Sequence, residues 1–158
     1  MLAFFEDIVI GEERLLGSHA FTKEAIIAYA RQFDPQRFHI DEEAAKASLF
    51  GGLCASGWHT AAAAMRVIVD ARSRALVELA ARGEALPPLG VSPGVEKLRW
   101  PTPTRPGDVV TFFSSVIDKR ETRRPHWGLI QMLTWGLKQD GLEAITMENR
   151  AFVGRRSS

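Results

Sequence analysis

Residues 33–58 read F-D-P-Q-R-F-H-I-D-E-E-A-A-K-A-S-L-F-G-G-L-C-A-S-G-W, and the rest of the chain is organised around them. Asp34 and His39 stand five residues apart across Pro35. Five steps of a 3.6-residue period turn the second side chain well away from the first, so one helical face cannot hold both. Pro35 also drives Asp34 out of helical angles. The two side chains can therefore converge only if residues 34–39 form a loop. A carboxylate and an imidazole held in one loop, beside the N-terminus of a helix, make a candidate acid/base pair. The plainer reading is a turn aspartate followed by a satisfied loop histidine, since Asp-Pro is a common turn signal.

Upstream, residues 4–20 predict a short entry strand, a turn at Gly11-Glu12-Glu13 and a second strand near Leu15 to Phe21. Thr22 is a candidate N-cap for a helix from Lys23 to about Gln32, with Glu24 favourably placed in its first turn. Ile26, Tyr29, Ala30 and Phe33 follow the i, i+3, i+4, i+7 pattern of a buried stripe. Asp41 can cap a short helix over Glu42 to Ala47, which ends toward Gly51-Gly52.

Downstream, a long helix is expected from Gly57 to about Arg82. Its first half, Trp58 to Val69, is almost entirely apolar or small, a pattern expected of a helix wrapped by other structure. Asp70 to Arg82 is amphipathic, and Pro87-Pro88-Leu89-Gly90 breaks the pattern. Val95 to Trp100, Val109 to Ile117, Trp127 to Leu137 and Leu142 to Val153 read as strands. In the first of these Leu98 and Trp100 share one face. Gln139-Asp140-Gly141 is a hairpin turn, and Asp118 to His126 is an exposed basic tip. Strands, helices and then a run of antiparallel strands make an α+β domain, one domain over 1–158.

The motif stretch resembles the MaoC-like (R)-specific enoyl-CoA hydratases and dehydratases. Their pattern is Asp-x-Asn-Pro-(Ile/Leu)-His, a short acidic helix, a glycine turn and a His-Gly that opens the central helix. Asp34 and His39 keep both catalytic positions of that family. Gln36 stands where Asn is usual, Arg37 where Pro is usual, Phe38 where Ile or Leu is usual, and Ser56 where the second His is usual. The resemblance implies a hot-dog fold, a curled antiparallel sheet wrapped around a long central helix, and a homodimer with acyl-CoA thioesters as substrate. It also implies reversible hydration of a trans-2-enoyl-CoA. Asp34 would act as base on a water held with His39, a division of labour that could be reversed.

The developing thioester oxyanion needs a donor, and the Gly57 N–H at the helix start is the candidate, with Ser56 and Gln36 beside it as substrate-binding positions. Its alternative is that Gly51, Gly52 and Gly57 only permit a tight turn and close packing. Arg120, Arg123 and Arg124, with His126, could grip coenzyme A phosphates; a solvated hairpin tip is the alternative. Ala71 to Leu89 could form a lid over the acyl group or be a plain connecting helix. Trp100, Trp127 and Trp135 read as core or interface residues. Two further functions remain open on this fold, an acyl-CoA thioesterase and a non-catalytic acyl-CoA-binding module.

Composition narrows the classes. The chain is 46% hydrophobic and 25% charged, with a net charge of +1, which gives no pull toward nucleic acid or an anionic membrane. The single cysteine, Cys54, cannot form an internal disulfide, reads as a small buried hydrophobe, and fits a reducing cytoplasm. The N-terminus turns acidic at once and has no secretory n-region, and no apolar run reaches the roughly 18 residues of a membrane span. His19, His59 and His126 have no metal-site spacing, so no metal and no cofactor are expected beyond the coenzyme A of the substrate.

Overall fold

A computed structural model of the chain describes residues 3–88 and 90–156. Met1 and Leu2 at the N-terminus, and Leu89 in the expected helix break and lid, lie outside the described residues. Five strands form one antiparallel sheet: β1 (Glu13–Ala20), β2 (Gly94–Arg99), β3 (Val109–Glu121), β4 (Trp127–Lys138) and β5 (Glu143–Gly154), in the order β1-β3-β4-β5-β2. The α-helices of the described residues lie between the two edge strands in sequence: α1 (Lys23–Phe33), α2 (Arg37–Ile40), α3 (Glu42–Lys46) and α4 (Gly57–Ala81). The sheet curls around α4, which is the hot-dog fold.

The alternation of β3 and β4 explains the layer. Val110, Phe112, Ser114 and Val116 face inward from β3, and Ile130, Met132, Thr134 and Gly136 from β4, all buried. Period-2 alternation is what a sheet with one buried face requires. The core gathers Phe21, Ile26, Val110, Phe112 and Ile145 against Ala63, Ala64 and Val67 of α4. The small residues of α4 allow the sheet to come close.

Four expectations change. The entry strand is a 3-10 turn at Phe5–Asp7. Phe5 and Ile8 are three residues apart and both bury against Val116, Ile130 and Met132, which suits a helical turn and not a strand. The loop expected over residues 34–39 contains a helical turn, α2. Asp34 leaves α1 with non-helical angles (φ −152°, ψ 69°), and the bend there brings the pair together. β3 runs four residues beyond the expected Ile117, through a bulge between Val116 and Asp118, so the tip shrinks to residues 122–126. Finally, α4 is not wrapped all round. His59, Thr60, Ala63, Ala64 and Val67 are buried, but Trp58, Met65 and Val69 on the other face are exposed, because the sheet covers one side only.

Among smaller features, the helix caps and the β4–β5 turn follow the sequence, and Phe33 and Lys97 depart from it. Thr22 caps α1, its Oγ1 accepting from Ala25 N–H at 3.2 Å, and Asp41 caps α3, accepting from Ala44 N–H at 2.9 Å. Phe33, expected in the buried stripe of α1, is instead exposed at the end of the helix. Gly141, at φ +82°, makes the β4–β5 turn, a conformation that favours glycine. Lys97, at φ 50°, sits in a register shift between Glu96 and Arg99 of β2 and breaks the alternation expected there.

Candidate active site

Asp34 and His39 do converge. His39 Nε2 lies 3.6 Å from Asp34 Oδ2, with the histidine side chain 6% exposed and the aspartate 19%. Each is fixed by further contacts. His39 Nδ1 lies 2.8 Å from the carbonyl oxygen of Cys54. A carbonyl can only accept, so Nδ1 carries the proton and donates. In neutral His39, Nε2 then has a lone pair that faces Asp34 and the pocket. Phe38 packs edge-on against the imidazole, at 4.5 Å between ring centroids, and locks the ring plane.

Asp34 has both oxygens occupied. Ser56 Oγ donates to Oδ2 at 2.6 Å, and Gln36 Nε2 donates to Oδ1 at 2.9 Å. Partial burial raises its pKa, but the hydrogen bonds from Ser56 and Gln36 and the charge of His39 outweigh that and hold the carboxyl below its ordinary value. Asp34 is therefore ionised at neutral pH. Tyr29 is affected in turn: burial and the Asp34 charge push its phenol pKa up.

Ser56 is also the N-cap of α4. Its Oγ accepts from Trp58 N–H at 3.2 Å while its one proton goes to Asp34. The His59 and Thr60 amides bond to Ser56 O. The Gly57 N–H makes no hydrogen bond among the described residues. It is an open donor at the positive end of a 25-residue helix, beside the pair. The geometry thus separates three positions that the sequence grouped together. Gly57 lines the pocket with its amide unbonded among the described residues, and Ser56 and Gln36 hold Asp34.

These residues line a cavity of about 360 Å³, in the range of small-molecule sites. The sequence reading missed several of its walls. Trp100, expected in a core or interface, lies against the first turn of α4 and lines the pocket, edge-on to Trp58 at 5.5 Å. A Cβ at Gly57 would meet the Trp100 ring at 2.5 Å, so the glycine is required by this tryptophan. Thr60 and Thr104 are buried at the floor, with Thr60 Oγ1 donating to Thr104 Oγ1 at 3.2 Å. Phe50 and the Cys54 carbonyl were also missed. Cys54 itself is buried as expected, and burial raises its thiol pKa. The one available signal was the rigid Pro101-Thr102-Pro103-Thr104 run, which delivers both Trp100 and Thr104.

Arg120, Arg123 and Arg124 are not brought to this pocket within the chain. They sit near the β3–β4 turn, whereas the pocket lies where β3 begins; twelve residues of strand separate these ends by up to roughly 40 Å. Arg124 lies over the Phe152 ring at 5.7 Å. The described part of the expected lid is helix to Ala81 followed by Pro87 and Pro88, which cover a different cavity. Among the described residues no group of three or more His, Cys, Asp or Glu could hold a metal, and no helix is long and apolar enough to cross a membrane.

Known proteins give the geometry its context. The MaoC like domain profile matches residues 7–132. A MaoC-like dehydratase from Rhodospirillum rubrum is 38% identical, with 99% of each chain covered and a TM-score of 0.82. A monoamine oxidase regulatory protein from an Archaeoglobus species is 20% identical over 98% of this chain and 96% of that one, at a TM-score of 0.77. An (R)-hydratase from Pseudomonas aeruginosa is 17% identical over 98% of this chain and 86% of that one, at 0.65. These last two share the fold. An uncharacterized Bacillus subtilis protein is 34% identical over 65 residues, 41% of this chain and 46% of that protein, so the match spans about half of that curated relative. With the profile covering most of its length, the chain belongs to the MaoC-like domain family.

Proposed function

We propose that the protein is a hydro-lyase that adds water reversibly to a trans-2-enoyl-CoA, with Asp34 and His39 holding the water. The observation that carries this reading is the pair itself: an ionised carboxylate and an imidazole with its Nε2 lone pair turned inward, 3.6 Å apart, in a cavity with an open amide donor. A water between them is hydrogen-bonded by Asp34 Oδ2 and His39 Nε2. Its hydroxyl adds to Cβ of the enoyl group and its proton passes through the pair to Cα, so water is consumed without any other reactant. The depressed pKa of Asp34 makes it the weaker base. His39 is therefore assigned as the proton carrier, and Asp34 as the anchor that stabilises the imidazolium. The Gly57 amide accommodates the enolate-like charge on the thioester oxygen.

A homodimer accompanies this reading. The exposed face of α4 with Trp58, Met65 and Val69, and the exposed edge strand β2, are surfaces that a second copy would cover. The test follows the conjugated absorbance of crotonyl-CoA, and of longer enoyl-CoAs, with wild type, Asp34→Ala and His39→Ala. Turnover by wild type with a loss of about a hundredfold or more in each variant is expected. Turnover that survives both substitutions overturns the site. Release of free thiol from a saturated acyl-CoA overturns the lyase in favour of a thioesterase.

A further inference from the structure

Strand β4 turns the wrong residues outward for a solvated sheet. Its inward side chains are Ile130, Met132 and Thr134, with Gly136 beside them. Its outward ones, all half-buried, are Leu129, Gln131, Leu133, Trp135 and Leu137. An antiparallel sheet with one face in water turns polar residues to that face. Here the outward row is bulkier than the inward one and almost as apolar. The neighbouring strands continue it. The register aligns Leu15 of β1 with Phe113 of β3, and Phe113 with Trp135 of β4, and the two rings stack at 5.7 Å. Leu15 is 67% exposed. The long helix α4 occupies the opposite, concave face, so only another molecule can cover this one.

Size and charge point to a second copy of the chain. β3, β4 and β5 are 12 or 13 residues long, roughly 40 Å, and five strands abreast span roughly 24 Å. That area is on the order of the 800 Å² per partner that a stable interface buries. The border of the apolar row carries both signs. Glu13 and Glu143 flank Leu133 and Trp135 in one shallow depression, while Arg120 and Arg150, with Asp118, line another farther along β4. Arg150 has Glu96 at 3.1 Å, whereas Glu13, Glu143 and Arg120 form no ion pair among the described residues. A face of one sign would suit nucleic acid or charged lipid; an apolar centre bordered by both signs can complement itself. The register shows how. Leu137 pairs with Glu143 and Gln131 with Arg150, on either side of Trp135 and Leu133. A two-fold axis lying across the strands, between Trp135 and Leu133, sets each Trp135 over the other copy's Leu133. The same rotation sets each Glu143 over the other copy's Arg150, acid over base.

We infer that the outward face of the sheet is an interface between two copies of this chain, stacked sheet on sheet about that axis, with Trp135 and Leu133 at its centre. It lies across the sheet from the α4 face, so the two contacts together build a particle of four chains. The inference stands apart from the reaction assigned to Asp34 and His39.

The test is the particle mass of the full chain, by sedimentation velocity over a range of concentrations. Trp135→Glu and Leu133→Glu should each halve it, weakening association about thirtyfold or more, the scale of a central interface residue. Both leave the inward row untouched, and circular dichroism checks the fold. Cross-linking tests the axis without altering the centre. In a mixture of Glu143→Cys and Arg150→Cys chains, a short bis-maleimide should join one variant to the other and neither to itself. Identical positions of the two copies lie on opposite sides of the axis, up to roughly 23 Å apart, and Cys54 is buried from the reagent. Three results would overturn the inference: wild-type monomers, a mass that neither glutamate variant changes, or no link in the mixture. If both glutamate variants misfold, the cross-link decides alone.

Discussion

The two ends of α4 treat buried polar atoms in opposite ways. At the N-terminal end, both oxygens of Asp34 are occupied, His39 Nδ1 has the Cys54 carbonyl, and the Thr60 and Thr104 hydroxyls have each other. About four turns on, Arg72 Nε has no acceptor among the described residues. A cluster with its partners built in holds its geometry before substrate arrives, the condition for electrostatic preorganisation. A guanidinium whose Nε has no acceptor among the described residues keeps its charge all the same, because it cannot lose its proton. His59 shows the third option. It sits on the same first turn as Ser56, 8% exposed, stacked on Tyr29 at 4.5 Å, with Phe21 and His19 around it and its Nδ1 without a partner among the described residues. Unlike Arg72 it can shed its charge: burial first, and His19 second, push its pKa down to about 4.

The sharpest way to separate the two ends is therefore acid. Between pH 6.5 and about 4, the unfolded chain protonates His59 and the folded chain does not. The unfolded state binds more protons there, so stability rises with pH across that window and falls on acidification. The full cost is on the order of 3 kcal/mol once both pKa values are passed. Asp34 acts lower. Its folded pKa is depressed, so its contribution is present above the unfolded value, near 4, and is lost as pH falls through the folded one. Urea midpoints measured from pH 4 to 7 should slope in wild type and be flatter by about one proton in His59→Phe. Equal slopes in both would mean that His59 has another route to satisfaction.

The next effect is at the occupied end. Ser56→Ala removes the 2.6 Å donor from Asp34 Oδ2, so the Asp34 pKa rises. The Asp34 carboxyl titration, followed by NMR, should move to higher pH, kcat should fall about tenfold, and KM should change less. Ser56→Thr should restore the titration. A carboxyl titration that stays in place in Ser56→Ala would reduce Ser56 to a helix cap.

What was legible in the sequence follows the same division. Asp34 and His39 could be paired because Pro35 constrains the local chain, and local constraint is what a sequence displays. The long helix was legible from its small apolar run, and the strands from their β-branched and aromatic content. The 3-10 turn at Phe5–Asp7 was not, since a short apolar segment supports a strand as well as a single helical turn. Trp100 on Gly57, the Cys54 carbonyl on His39, and Arg72 beside Ser114 join residues 43, 15 and 42 positions apart. No periodicity encodes such contacts. They appear only once the sheet has curled around the helix.

The smallest expected effect tests what holds His39. Two groups of Cys54 approach its Nδ1, the carbonyl oxygen at 2.8 Å and the thiol sulfur at 3.7 Å. An N–H donated to a backbone carbonyl is indifferent to the side chain, and a sulfur is only a weak acceptor. Cys54→Ala should therefore keep the tautomer and leave kcat within about twofold of wild type, the scale of a few tenths of a kcal/mol. It should still lose about 1 kcal/mol of stability through the small cavity left behind. A larger fall in rate, with the pH profile shifted, would show that the thiol sets the imidazole. In that case the occupied end of α4 would depend on side-chain chemistry at a position where the geometry assigns the contact to the main chain.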